Sequence, residues 1–307
     1  MNVKNIVLSS DNHYAQHLGV TIMSLLKNNS NETFKLFIFG NDISELNKRY
    51  LSKIIEPFRC EMEYINFDSK IFENMNIGRL SIATYFRLLM PVHINVDKLL
   101  YLDVDIIVNK PINELYDIDL KNHYVAAVED VWTSKEYCNK LGMDSDAKYF
   151  NSGVLLVNLK KWKEENLFNK FIEYQKNSTF LLEAHDQDIL NAIFNGNWKR
   201  LPLKFNQYGK NPDLECKKFL NFFTSEEILE AQKDPIIIHY IGGRKPWHYR
   251  NEHIKKELYW KYLMLTPYKD YKPKDKTIRN IISKNTPKII RNPKRYFKSI
   301  LLKNNKC

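Results

Sequence analysis

No apolar run among the 307 residues approaches the roughly 20 needed to cross a bilayer. The opening MNVKNIVLSSDNHY holds only the short patch Ile6 to Leu8, too little for the apolar core of a secretory leader. The chain is therefore expected to stay in the cytoplasm. Its four cysteines (Cys60, Cys138, Cys216 and Cys307) stand singly with no CxxC pair. That argues against a disulfide scaffold or a thiolate zinc site and suits a reducing compartment. No internal repeat is visible. Residues 1–265 carry no excess of either charge, with 34 basic residues against 34 acidic ones. The net charge of +11 lies wholly in residues 266–307, which hold 13 Lys and Arg against 2 Asp. A neutral body without a nucleic-acid motif excludes nucleic acid as the main partner.

What is present is a globular composition, 44% hydrophobic and 13% aromatic, on a chain long enough for a large core. NIVLSSD reads as a strand ending at Asp11, followed by a helix with Leu18, Ile22, Leu25 and Leu26 at helical spacing. FKLFIFG is a second strand, and Ser44 caps a helix running to Ile55 with Pro57 beyond it. MEYINF is a third strand, SIATYFRLLMPVHI a helix starting at Ser81, and KLLYLDVD a fourth strand. Strands alternating with helices predict an α/β fold with a mainly parallel sheet covered on both faces. Ligands of such sheets collect at the carboxyl ends of strands, where Asp11 and Asp103 both fall. Later strands are read in HYVAAVED, FNSGVLLVNL and PIIIHYIGG, and helices over 160–175, 186–194 and 225–231. YRNEHIKKELYWKYLM is the last strongly helical stretch. Four prolines (Pro267, Pro273, Pro287 and Pro293) punctuate the chain beyond that stretch. The domain boundary is therefore set near Leu265, giving a body of 1–265 and a basic tail of 266–307.

Three constellations carry chemistry. In KLLYLDVDIIVNKPI, Asp103 and Asp105 share one side of a strand by its period of two, and such close charges repel unless a cation lies between them. A solvated strand end is the plain alternative. A hard divalent cation is the sharper one, with the late His239 as a nitrogen ligand of the kind Mn²⁺ accepts and diphosphate oxygens filling the rest. In HYIGGRKPWH, Gly242 and Gly243 permit close backbone approach to a ligand and Lys245 offers a charge to phosphate; an ordinary Gly-Gly turn explains the same residues. In EAHDQDILNAIF, Asp186, Gln187 and Asp188 open a helix, either as complements to its dipole or as acceptors for sugar hydroxyls.

Taken in order, LSSDNHY, SIATYFRLLMP, KLLYLDVDIIV, YFNSGVLLVNLKKW, HDQDILN and HYIGGRKPWH resemble glycosyltransferase family 8, over about Asn5 to Trp260. The resemblance is to its bacterial lipopolysaccharide galactosyl- and glucosyltransferases. It implies a GT-A fold, Rossmann-like, that binds a UDP-sugar through Mn²⁺ (or Mg²⁺) and transfers hexose to a glycan acceptor with retention of configuration. It further implies Asp103, Asp105 and His239 as metal ligands. Ser9, Asp11 and His13 would meet uracil and ribose, Arg87 and Val104 the donor, and Gly242 and Lys245 the diphosphate. Asp130, Asn151, Asp186 and Gln187 would surround the transferred sugar. The family branch often has DDNY where this chain has DNHY, so His13 replaces an asparagine and the base contact is the point of departure.

Two rival functions are weaker. A haloacid-dehalogenase-like phosphohydrolase also uses DxD, but near the N-terminus and with Thr or Val where Ile107 stands. Against a non-catalytic protein that binds a membrane or nucleic acid through its basic tail stand the neutral body and the lack of any nucleic-acid motif. The tail itself sets Ile278, Ile281, Ile282, Ile289, Ile290, Tyr296, Phe297, Ile300 and Leu301 among basic residues. That pattern predicts peripheral attachment to an anionic membrane, on its inner face, where a lipid-linked acceptor would be met.

Overall fold

The computed structural model describes residues 3–40, 42–67, 70, 82–209 and 217–287. Its main sheet has seven strands in the order β3-β2-β1-β4-β7-β6-β8. These are β1 Lys4–Ser9, β2 Phe34–Phe39, β3 Cys60–Ile65, β4 Lys98–Leu102, β6 Val125–Ala127, β7 Val154–Asn158 and β8 Lys199–Arg200. The strands β3, β2, β1 and β4 run parallel, while β7 is antiparallel to both β4 and β6. A separate pair, β5 Ile106–Val108 and β9 Ile237–His239, is antiparallel.

Alternation along the strands builds two cores from one sheet. Ile6, Leu8, Leu36, Ile38, Leu100 and Leu102 face one hydrophobic cluster. Val7, Phe37, Phe39, Leu99 and Tyr101 face the other. Helices α1 Ala15–Lys27 and α2 Glu45–Ile55 cover the first face. Ser44 caps α2 as expected, its hydroxyl accepting from the Asn47 N–H at 3.3 Å. The second face is covered through Trp162, Phe171 and Phe194. They sit on α6 Leu159–Glu164, α7 Leu167–Asn177 and α8 Asp186–Phe194, numbered after the short helices α3 Met90–His93, α4 Asn113–Tyr116 and α5 Lys135–Lys140. The expected mixed, mainly parallel α/β architecture with helices on both faces is met.

Several local expectations are corrected. The Asp103–Asp105 segment is not strand: β4 stops at Leu102, and the chain turns from the large sheet into β5 of the small one. The Asp103 N–H is donated to Gly153 O at 2.9 Å and the Asp105 carbonyl accepts from the Tyr240 N–H at 3.0 Å, so each end of the turn is tied to a different sheet. The helix expected from Ser81 is 3₁₀ over Ile82–Leu89, with Ser81 itself outside the described residues, and turns α-helical only where Pro91 fits the first turn of α3. The single helix read over 160–175 is broken at Asn166, which adopts a left-handed φ of 52°.

Past Leu265 the chain continues on the body. Tyr268 and Tyr271 pack against the first core, and the Asp275 carboxylate accepts the Tyr249 N–H at 2.7 Å. A helix follows over Ile278–Asn285, capped by Thr277, with Ile278 79% and Ile282 62% exposed. The remaining apolar residues of the tail, from Ile289 to Leu301, lie outside the described residues. Among the described residues, no helix is long and apolar enough to cross a membrane.

Candidate active site

The register Leu8↔Leu102 puts the carboxyl ends of β1 and β4 side by side, and the site forms on that rim. One ligand atom each from Asp103, Asp105 and His239 lie within 4.8 Å of one another. His239 Nε2 is 3.3 Å from Asp105 Oδ1 and 3.8 Å from Asp103 Oδ2. Its Nδ1 is 3.0 Å from Asn206 Oδ1, and Asn206 donates its amide to Asn151 Oδ1 at 2.8 Å. Asn206 Oδ1 therefore accepts from His239 Nδ1, which leaves the Nε2 lone pair facing two carboxylates. Three acceptor atoms converging in this way suit a divalent cation. Gly153 makes the convergence possible: a Cβ there would lie 2.2 Å from His239 Cε1 and 2.9 Å from Asp103 Oδ2.

Two of the protein's own cations already offset the paired charge. Arg87, fully buried, donates Nη2 to Asp103 Oδ1 at 2.8 Å and places Nε 2.8 Å from Asp186 Oδ2. Its Nη1 is bonded to the carbonyl and hydroxyl of Ser152, and its guanidinium lies over the Tyr101 ring at 4.2 Å. Tyr101 in turn donates its hydroxyl to Asp103 Oδ1 at 2.9 Å. Lys245 Nζ is bonded to Asp105 Oδ2 and, at 3.0 Å, to the Tyr240 carbonyl. Burial opposes ionisation of Asp105, but Lys245 outweighs it and holds its carboxyl well below the usual range. Asp186 goes the other way: burial raises its pKa to about 7, Arg87 offsetting only part because it is shared with Asp103.

Asp186 and Gln187 open α8, as the sequence predicted. Gln187 Oε1 accepts the Ser152 N–H at 2.9 Å, which ties the helix to the same segment that Arg87 holds. Asp188 is fully buried, accepting from the hydroxyls of Tyr137 and Tyr149 and the Ala184 N–H. The residue before α8, His185, carries a left-handed φ of 53°. Asp130 turns Oδ1 back onto the N–H groups of Trp132 at 2.7 Å and Thr133 at 3.2 Å. Together Asp130, Gln187 and Asp188 form part of the wall of a pocket of about 650 Å³.

At the end of β1, Ser9 is buried, and Asp11 caps the approach to α1 by accepting the Tyr14 N–H at 2.9 Å. His13 is exposed. The carbonyl of Val104 accepts from Thr21 Oγ1 at 3.0 Å, anchoring the aspartate turn to α1. Gly242 takes a left-handed φ of 86°, a conformation that favours glycine. The loop is seated by Trp247, stacked on His17 with centroids 3.6 Å apart and 12° between planes. Burial keeps His17 uncharged, its pKa lowered to about 3.

The structure thus joins Arg87, Asp103, Asp105, Asn151, Asp186, His239 and Lys245 through direct contacts or one shared partner. Sequence reasoning missed Tyr14, Tyr101, Ser152, Gly153 and Asn206. Only Gly153 carried a signal, a glycine at the head of an apolar strand.

The sequence model described as glycosyl transferase family 8 matches residues 5–251. A putative glycosyltransferase of Haemophilus influenzae is 35% identical over 257 residues, covering 81% of this chain and 74% of the relative. A lipopolysaccharide 1,2-glucosyltransferase of Escherichia coli is 32% identical over 257 residues, covering 80% and 73%. Among solved structures, the galactosyltransferase LgtC in complex with donor and acceptor sugar analogs is similar at a TM-score of 0.76 and 28% identity, covering 86% of this chain and 96% of that one.

Proposed function

The chain belongs to glycosyl transferase family 8, and from that premise we propose that it moves galactose or glucose from a UDP-sugar to a cell-envelope glycan with retention of configuration. The observation that carries this reading is the convergence of Asp103, Asp105 and His239 at the carboxyl rim of a GT-A sheet. Two carboxylates and an imidazole are a donor set for Mn²⁺, with Mg²⁺ less suited to the nitrogen. Held there, the ion would supply Lewis-acid stabilisation of the charge on a departing diphosphate.

The chain's own residues account for the rest. Tyr14, 40% exposed beside the Asp11 turn, offers a ring face to a base. Lys245, on the Gly242 loop, is placed to shift from Asp105 to diphosphate oxygens. Asp186, with a pKa near neutrality, can accept or donate a hydrogen bond to a sugar hydroxyl. Gln187 is a poor nucleophile, and its Oε1 is committed to Ser152. This favours front-face substitution, in which the leaving phosphate takes the acceptor's proton, over a covalent intermediate.

Family membership leaves the phosphohydrolase and the purely membrane-binding readings without support. The test is hydrolysis of a UDP-sugar panel with Mn²⁺, set against p-nitrophenyl phosphate. Cleavage of UDP-galactose or UDP-glucose that stops with EDTA is expected, and cleavage of the phenyl ester alone would overturn the reading.

The basic tail belongs to the same proposal as a peripheral anchor on the inner membrane face. Full-length protein is expected to sediment with anionic vesicles at low salt, and protein cut after Lys276, which keeps the residues that pack on the body, to stay in solution. Equal sedimentation of both forms would remove this role.

A further inference from the structure

We propose that the segment from Tyr268 to Lys284 is a strap that positions the two loops assigned to the donor, with Asp275 as its main positioning residue. The inference rests on the glycosyltransferase reading. Composition set this segment in the tail, yet its polar bonds run toward the loops that follow β1 and β9.

Its far end grips the stretch that follows Lys245. The Asp275 carboxylate accepts the Tyr249 N–H at 2.7 Å. The Lys284 ammonium donates to the Tyr249 carbonyl at 3.0 Å and lies 4.4 Å from the centroid of its ring. Asn280 donates its side-chain amide to the Asp275 carbonyl at 2.7 Å, which closes the strap on itself. From Tyr249 the restraint passes back by short steps. The Lys245 N–H is donated to His248 Nδ1 at 3.0 Å, and the His248 N–H to the Lys245 carbonyl at 3.0 Å. The Asn251 side-chain amide holds the Arg244 carbonyl at 2.6 Å. Gly242 and Gly243 cannot supply such restraint themselves, because glycine has the most backbone freedom to lose.

Its near end holds the other loop. Tyr268 donates its hydroxyl to Asn47 Oδ1 at 3.1 Å, and Asn47 donates its amide to Oδ1 of Asn12, between Asp11 and His13, at 2.7 Å. Tyr271 meets the ring of His17 edge-on at 5.8 Å, and His17 carries Trp247. Gly19 clears the seat. It lies inside α1, where glycine costs about 1 kcal/mol against alanine. A Cβ there would lie 2.9 Å from Tyr268 Cε2 and 2.9 Å from Ile54 Cδ1, so the helix forgoes a side chain where the strap crosses it. Loops held in this way before the donor arrives need no ordering when it binds.

Full-length Asp275→Ala tests this. With the strap unhooked, the loop holds its binding geometry for a fraction of the time, and apparent affinity falls by that fraction. Calorimetry with UDP and Mn²⁺ should show affinity about tenfold weaker than wild type. The KM for a UDP-sugar should rise by the same factor with kcat within about twofold, because the groups that do the chemistry stay in place. Asp275→Asn, whose Oδ1 can still accept the Tyr249 N–H, should recover most of the affinity. Hydrogen exchange without donor should quicken about tenfold over residues 244–251 in Asp275→Ala and stay unchanged in α7. UDP affinity equal to wild type, a fall in kcat at unchanged KM, or unchanged exchange over 244–251 would overturn the strap. Wild type that binds no UDP, with exchange still quickened in the variant, would overturn the donor reading and not the bracing of the loop.

Discussion

Asp105→Asn is expected to reduce transfer by about 100-fold or more, the scale set by losing one preorganised charge in an active site. It should also destabilise the protein. On the sequence alone the opposite holds, since deleting one of two like charges one residue apart relieves repulsion. The structure reverses the sign because each carboxylate has its own cation: Arg87 on Asp103, Lys245 on Asp105. Removing the Asp105 charge leaves Lys245, which burial penalises and Asp105 sustains as an ammonium, without its partner. The cost should be roughly 1–3 kcal/mol, as for other hydrogen bonds to charged groups.

Its pH dependence follows from the depressed carboxyl of Asp105. A group with a lowered folded pKa contributes stability in full above its unfolded value, about 3.9 for Asp, and loses it as pH falls toward the folded value. The deficit of Asp105→Asn should therefore be constant above about pH 5 and shrink in acid. Urea titrations across that range check the stability. Calorimetry with Mn²⁺ and UDP checks the ligand role, and undiminished binding in the variant would sink it.

What the sequence made legible was local. Strands β1 and β2 announce themselves by apolar runs, α2 by its Ser44 cap, and α8 by its acidic opening and its Ile189 and Phe194 spacing. The DVD stretch was legible as chemistry and not as structure. Period-two alternation cannot say where a strand leaves its sheet, and that is decided by Gly153, which accepts the Asp103 N–H from 50 positions away, and by Tyr240. The trio of Asp103, Asp105 and His239 was assembled from the chemistry of the side chains and then strengthened by the family resemblance, since no local pattern joins His239 to Asp103. Asn206 and Ser152 stayed invisible for the same reason. An amide that sets a tautomer, or a carbonyl that receives a guanidinium, acts across elements distant in sequence.

Arg87→Met should be the most damaging single change. Arg87 is fully buried and joins Asp103, Asp186, Ser152 and Tyr101. Its loss strands Asp186 in a site where burial already lifts the carboxyl to about 7. Breaking a buried pair in this way costs about 3–5 kcal/mol. Part of that cost is avoidable, because a stranded carboxylate can take up a proton. The sign is that of a raised folded pKa: the stability tied to protonated Asp186 is lost as pH rises through the folded value. Without Arg87 that value moves higher still, so the deficit against the wild type should widen as pH rises past 7. Arg87→Met combined with Asp186→Asn removes the stranded charge and should recover more than half of the loss at alkaline pH. Transfer should be lost in both variants, since the restored fold still lacks the cation that orients Asp103. Thermal denaturation at acid and alkaline pH reads the stability. A double variant no more stable than Arg87→Met would show that Arg87 acts through Ser152 and Tyr101 instead of through Asp186.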